Sequence, residues 1–352
     1  MPDWSKSMQQ TFEYYTVDPN TWKDEKRIQN VISCGIERDT SQATLGSANI
    51  TMNESLGECY VRAYLITIQN GITEKHPLGT FLVQTPSISF DGKVKDISID
   101  AYTPLLELKE NPPPIGYSIA KGENVMDMAY QLVQENMRAP VVKPTCSTKL
   151  HNEFVSDMNN TWLDFLSDLI SNAKYYFMLD EMGRVLFSPK QDTASMQPVW
   201  TYNDSNSSIL YPELSIDHDI YGIPNVVEVI YSNGGGYYYA KAINDDVNSP
   251  ISTVNRGRTI THRVTNPDLI GDPTENQIEE YAKQTLRDLS SLEYTVTYKH
   301  GYCPVRIGDC VRLDYEKAGL SNVKARVISQ SITCEPGCPV SETAVFTTRL
   351  WE

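Results

Sequence analysis

The sequence predicts a mainly β protein with an α+β insert: two small β-barrels flanking a mixed α/β domain. Three observations predict it. Tyrosine is abundant, 21 residues against 8 phenylalanines, and tyrosine and threonine suit half-buried pleated surfaces. Period-two alternation occupies both ends of the chain, whereas helical stripes are concentrated in the middle. Tight-turn pairs, Asn70-Gly71 and Asp91-Gly92, punctuate the N-terminal runs, and such pairs tolerate the positive φ that hairpins require.

From Cys59 to Ile68 the chain alternates, with Val61, Ala63 and Leu65 on one face and Tyr60, Arg62, Tyr64 and Ile66 on the other. Gly79–Val83 and Pro86–Phe90 read as further strands, and Ile97, Ile99 and Ala101 share a face in the next. The run Asn111-Pro112-Pro113-Pro114 stops this pattern, since proline gives a ladder no donor. Beyond it the period changes. Val125, Met128, Ala129, Leu132 and Val133 form one helical stripe. A second helix opens at Thr161, with Asp164 completing a capping box, and buries Trp162, Phe165, Leu166, Leu169 and Ile170. Tyr175–Leu179 and Arg184–Phe187 make a hairpin across Asp180-Glu181-Met182-Gly183.

A strand over 225–231 is assigned to the second barrel, although a long polar excursion to about Thr274 follows it. A helix then starts after Asp272-Pro273, proline fitting a first helical position, with Ile278, Tyr281, Ala282, Thr285, Leu286 and Leu289 as its stripe. After Ser291 the chain returns to strands, through Tyr294, Val296 and Tyr298 to Ala344, Phe346, Thr348 and Leu350. The expected domains are 1–111 (first barrel), 112–206 plus 240–291 (α/β) and 207–239 plus 292–352 (second barrel).

Length, 352 residues, fits two or three domains. No stretch of about 18 apolar residues exists to cross a bilayer. The opening Met1-Pro2-Asp3-Trp4-Ser5 has no basic region leading into an apolar run, so folding in a cytosol is expected. A net charge of −15 reads as solvated acidic surface and argues against a phosphate-gripping platform. An acidic lumen that repels DNA is compatible with it.

Seven cysteines, an odd number, point to reduced thiols. Cys303, Cys310, Cys334 and Cys338 are enough thiolates for a tetrahedral zinc. Their spacing matches no standard zinc ribbon, and Cys303 and Cys310 serve equally well as small apolar barrel residues. The five histidines, His76, His151, His218, His262 and His300, are scattered. His218 sits between Asp217 and Asp219, which reads as a polar loop before the Tyr221-Gly222-Ile223-Pro224 turn. There is no HExxH, GxSxG, SxxK or cysteine–histidine signature, and no catalytic residue, metal ligand or cofactor is expected. Gly234-Gly235-Gly236 lacks the lysine and helix of a phosphate loop; a hairpin tip is expected, with Tyr237-Tyr238-Tyr239 suited to an interface.

The chain resembles the tail hub family, the baseplate hub proteins of contractile phage tails and of related bacteriocin and prophage particles. The resemblance covers the whole length in layout. It is carried by Thr161-Trp162-Leu163-Asp164-Phe165-Leu166 and the hairpin through Tyr176 to Phe187. Tyr281-Ala282-Lys283-Gln284-Thr285-Leu286, Gly308-Asp309-Cys310-Val311-Arg312-Leu313, and the Asn124–Met137 helix after Ala120-Lys121-Gly122 carry the rest. It implies a non-enzymatic homotrimer in a virion or tail-like particle, assembled in the host cytoplasm. Two barrels per subunit would make a pseudo-sixfold ring, adapting a sixfold tail tube above to a threefold spike below. Its partners would be a tube or tube-initiator protein, the spike and a tape-measure protein, with no membrane and no specific nucleic acid. Two other readings stand beside it. One is the hub module of a non-contractile tail tip, set against by the stop at Trp351-Glu352 directly after a strand. The other is a cell-wall carbohydrate-active enzyme or binding module, in which tyrosine and tryptophan would stack on sugars.

Overall fold

Short alternating runs broken by turn residues become ladders in the structure, a computed structural model that describes residues 2–90, 92–93, 95–205, 207–233, 236–267 and 274–351. First come β1 (Gln9–Val17), β2 (Asp24–Ile28), β3 (Val31–Asp39), β4 (Gly46–Met52), β5 (Tyr60–Gln69), β6 (Ile72–Phe90) and β7 (Lys95–Tyr102). The middle holds α1 (Leu106–Glu110), β8 (Ser118–Ile119), α2 (Val125–Asn136), β9 (Phe154–Val155), α3 (Trp162–Ser171), β10 (Tyr175–Leu179), β11 (Val185–Pro189) and β12 (Trp200–Asn203). Next are β13 (Leu210–His218), β14 (Val226–Asn233), β15 (Gly236–Ile243), α4 (Thr253–Arg256), β16 (Thr261–Thr265) and α5 (Glu275–Leu289). The last strands are β17 (Ser291–Gly301), β18 (Cys310–Tyr315), β19 (Leu320–Thr333) and β20 (Pro339–Arg349).

The fold is mainly β with few helices, as the sequence predicts. Its contacts divide it into two compact units, Met1–Leu214 with Thr297–Ala344, and Ser215–Val296 with Val345–Glu352. The boundaries expected at 111, 206, 239 and 291 fall elsewhere than the ends of these units. In the larger unit, β5 and β6 meet at Asn70 and Gly71, both at positive φ (52° and 77°). Gly79–Val83 and Pro86–Phe90 are not separate strands but parts of one long β6. Its first half pairs with β5 and its second with β7, and the register shifts at Val83/Thr85 let one strand serve two neighbours. The Asp91 half of the Asp91-Gly92 turn lies outside the described residues.

From β7 the order continues through β4 and β3 to β19. The β3–β19 ladder aligns Ile36 with Ile332, joining the strands expected in two barrels into a single hydrogen-bonded order. Among the described strands that order is an open path, with β18 branching from β19 and β12 pairing in parallel with β18.

Helices α1 to α3 and the β10–β11 hairpin share one core with the first strands: Val125, Leu132, Phe165 and Leu169 pack in the same cluster as Val17, Tyr60 and Leu82. Asn124 accepts from the amides of Met126 and Asp127 to cap α2. Thr161 and Asp164 form the expected capping box on α3. The prolines at 112–114 therefore turn the chain without ending its core.

In the smaller unit, strand β14 pairs with β15 and β16, and not with the C-terminal strands to which 225–231 was assigned. The long polar excursion after 225–231 contains β15, whose Tyr238, Ala240 and Ala242 alternate towards α5. Ile278, Ala282 and Leu286 of α5 pack on Val227 and Val229 of β14. Asp272 and Pro273 lie outside the described residues; Thr274 caps the helix, with Gln277 completing its box.

Candidate functional site

Local turn chemistry builds the first candidate centre, the tip of the β10–β11 hairpin. Asp180 accepts from the Arg184 backbone amide (2.8 Å) and its Nε (2.6 Å), and Gly183 adopts φ 75°, which glycine permits at low cost. This exposes the Met182 carbonyl to donors from the sheet. Trp22 Nε1 donates to it at 2.7 Å and Arg62 Nη2 at 3.1 Å. Arg62, only 1% exposed, also donates to Thr80 Oγ1 and to Asp24 Oδ1, each at 2.8 Å. A buried guanidinium needs that many acceptors to offset its lost hydration. Asp24 accepts in turn from Tyr64, whose phenol burial and this carboxylate push up to about 12. Beside it, Glu181 receives Arg306 through Nε (2.7 Å) and Nη2 (2.6 Å), with Arg38 at 3.9 Å. Burial opposes the charge of Arg306, and Glu181 holds its pKa above the ordinary value.

A second centre is sealed inside the larger unit. Period-two alternation in β20 aims Glu342 inward between Val340 and Ala344, and in β17 it aims His300 inward after Tyr298. Glu342 accepts from Tyr298 Oη and, at 2.6 Å, from Gln330 Nε2. Its other contact is His300 Nε2, at 3.5 Å. Gln330 passes the network to Arg38, which donates to its Oε1 at 3.0 Å. His300 Nδ1 lies 2.7 Å from the Gly301 carbonyl and Nε2 lies 3.1 Å from Tyr202 Oη, which is 3.3 Å from Cys303 Sγ. Burial opposes a charge on His300, but hydrogen bonds to Cys303 and Glu342 outweigh it and raise the pKa to about 10. His300 is therefore an imidazolium at neutral pH.

A cysteine, a histidine and a carboxylate in one cluster are the ingredients of nucleophilic catalysis. Their exposures, 2%, 0% and 0%, leave no surface on which a substrate carbonyl could meet the thiol. The arrangement holds strands together.

The cysteines named from the sequence occupy different surroundings. Cys303 belongs to the sealed cluster, while the Cys310 thiol faces the Val311 carbonyl at 3.8 Å. Cys334 lies opposite Cys34 across the β3–β19 ladder, and Cys338 is buried. Among the described residues, no group of three or more histidine, cysteine or acidic side chains is placed to hold a metal. His218 packs against Tyr294 with the rings tilted and their centroids 5.0 Å apart, and Asp219 accepts from the Tyr221 amide, an Asx turn. Gly234 and Gly235 lie outside the described residues. Tyr237 and Tyr239 are exposed, 67% and 47%, whereas Tyr238 packs towards α5. Sequence reading missed both centres, although inward charges at Glu342 and His300 were signalled by period two.

An open groove of the larger unit, about 590 Å³, is lined by Leu45, Ile170, Phe177, Tyr176, Lys190 and Arg326.

No family model and no curated protein matches the sequence. Solved structures do match in fold. A tail protein from Neisseria meningitidis superposes with a TM-score of 0.64 at 13% identity, covering 96% of each chain. The 43 kDa tail protein of prophage MuSo2 from Shewanella oneidensis gives 0.62 at 12% identity, over 97% of this chain and 98% of that one. A chain of the Francisella PdpA–VgrG complex gives 0.57 at 10% identity, with 96% of this chain matching 53% of that longer one.

Proposed function

We propose that this chain, which has the fold of phage tail proteins, is a structural hub of a phage-type tail baseplate. The observation that carries the reading is the extent of the match: nearly the whole of this chain against nearly the whole of two tail proteins. The internal chemistry agrees with a load-bearing role, because the charged and polar side chains of both centres are spent on fixing strands and hairpin.

In this reading three copies close into a ring. Each contributes two strand-rich portions, so a threefold assembly offers six similar platforms to a tail tube and three to a spike. Partners are further copies of the chain, a tube or tube-initiator protein, a spike and a tape-measure protein, within a virion or tail-like particle. The net charge of −15 favours a channel that repels DNA.

Light scattering on the purified chain tests the assembly. A mass three times that of one chain, stable on dilution, is expected; a monomer at all concentrations contradicts it. A peptidoglycan-digestion assay tests the enzymatic alternative, and the expected result is no turnover.

A further inference from the structure

The β3–β19 ladder holds a second pair of groups that the load-bearing role does not use. Thr333 faces Gly35 and Ile332 faces Ile36, so the next step of the register sets Cys334 opposite Cys34. The Cys334 amide donates to the Cys34 carbonyl at 2.9 Å, confirming that the two residues are direct cross-strand partners. Residues of such a hydrogen-bonded pair have Cα atoms about 5.5 Å apart, inside the roughly 4.4–6.8 Å range that a disulfide spans. Both side chains share the inward face of their strands: Cys34 lies two residues before Ile36 and Cys334 two after Ile332, and both isoleucines are buried. Tyr14 of β1 covers the pair, with its hydroxyl beside both thiols.

We infer that Cys34 and Cys334 are a disulfide-forming pair, a redox staple that locks β3 to β19. Cys34 is buried and Cys334 is partly exposed, which sets the order of events. The Cys334 thiolate attacks one sulfur of a small disulfide such as oxidised glutathione and expels one glutathione thiolate. The Cys34 thiolate then attacks the Cys334 sulfur of the mixed disulfide and expels the second. The two protein thiols together lose two electrons and two protons, which the released pair of glutathione molecules carries away. The staple would close about 300 residues into a loop, the length regime in which constraint of the unfolded chain is largest. In the reduced chain the Cys334 thiol beside it and burial hold the Cys34 thiol well above its ordinary pKa.

Cys338 is the control, being a buried cysteine close enough to Cys34 and Cys334 to act on both thiols. The full-length folded chain is incubated with oxidised glutathione, trapped with an alkylating agent, digested and mapped by mass spectrometry. A Cys34–Cys334 peptide cross-link is expected, with a thermal midpoint raised on the order of 5 °C and reversed by dithiothreitol. The cross-link should survive Cys338→Ser and vanish in Cys334→Ser, whose partly exposed site tolerates the change. A Cys334–Cys338 link, or both thiols fully alkylated after an oxidant exposure that links them in the urea-unfolded chain, would overturn the inference.

Discussion

Glu342 is the acceptor at the centre of the sealed cluster. It is fully buried, and it takes hydrogen bonds from Tyr298 and Gln330 while facing His300. Glu342→Gln keeps the shape but leaves an imidazolium without its counter-charge, and removing one partner of a buried pair costs about 3–5 kcal/mol. Urea denaturation should show a loss of that order. The pair also sets a pH dependence. His300 titrates near 10 when folded against 6.5 in the open chain, so between those values the folded state holds one more proton than the unfolded. Its contribution is complete below pH 6.5 and declines as pH rises through 10, by at most about 1.4 kcal/mol per pH unit. Subtracting His300→Gln from wild type should isolate that decline. A difference independent of pH from 6 to 10 would remove the imidazolium from the account. Cys303, at 2% exposure, should resist iodoacetamide in the folded chain and react on unfolding.

At the scale of elements, the β10–β11 hairpin behaves as a latch. Its Met182 carbonyl is gripped by Trp22 and Arg62, and its Glu181 by Arg306. A methyl group at Gly183 would stand 2.8 Å from Thr80 Cβ on a backbone at φ 75°. Gly183→Ala should therefore destabilise the chain by about 1–3 kcal/mol, read as a shift in the urea midpoint, whereas Gly92→Ala has no neighbour within 4 Å and bears only its φ cost. The hairpin itself was legible in the sequence, and so were the Asn70-Gly71 turn and the Thr161–Asp164 box, because each rests on residues within four positions. The partner of β14 was not. A short alternating strand states which face is buried, not which neighbour it pairs with, so Val227 and Val229 fitted a C-terminal sheet as well as the β15–β16 sheet they join. The pairing of Ile36 with Ile332, nearly 300 positions away, leaves no local trace either.

For the whole molecule, alternation at both chain ends was enough to predict a mainly β fold with helices between. It did not show that β3 and β19 would fuse the strands of the two expected barrels into one order. The proposed ring would need the strand-rich portions of each subunit to be alike at its contacts with a tube. The exposed Tyr237 and Tyr239 are large amphipathic side chains of the kind enriched at interfaces. Replacing both with serine should leave the thermal midpoint of the chain within about 2 °C, and it should weaken assembly if that face meets a neighbour. The most direct test of the hub reading is electron microscopy of the purified chain, with class averages computed without imposed symmetry. Closed rings with three equal parts, each showing two similar lobes, are predicted; single chains, or open head-to-tail filaments, would contradict it.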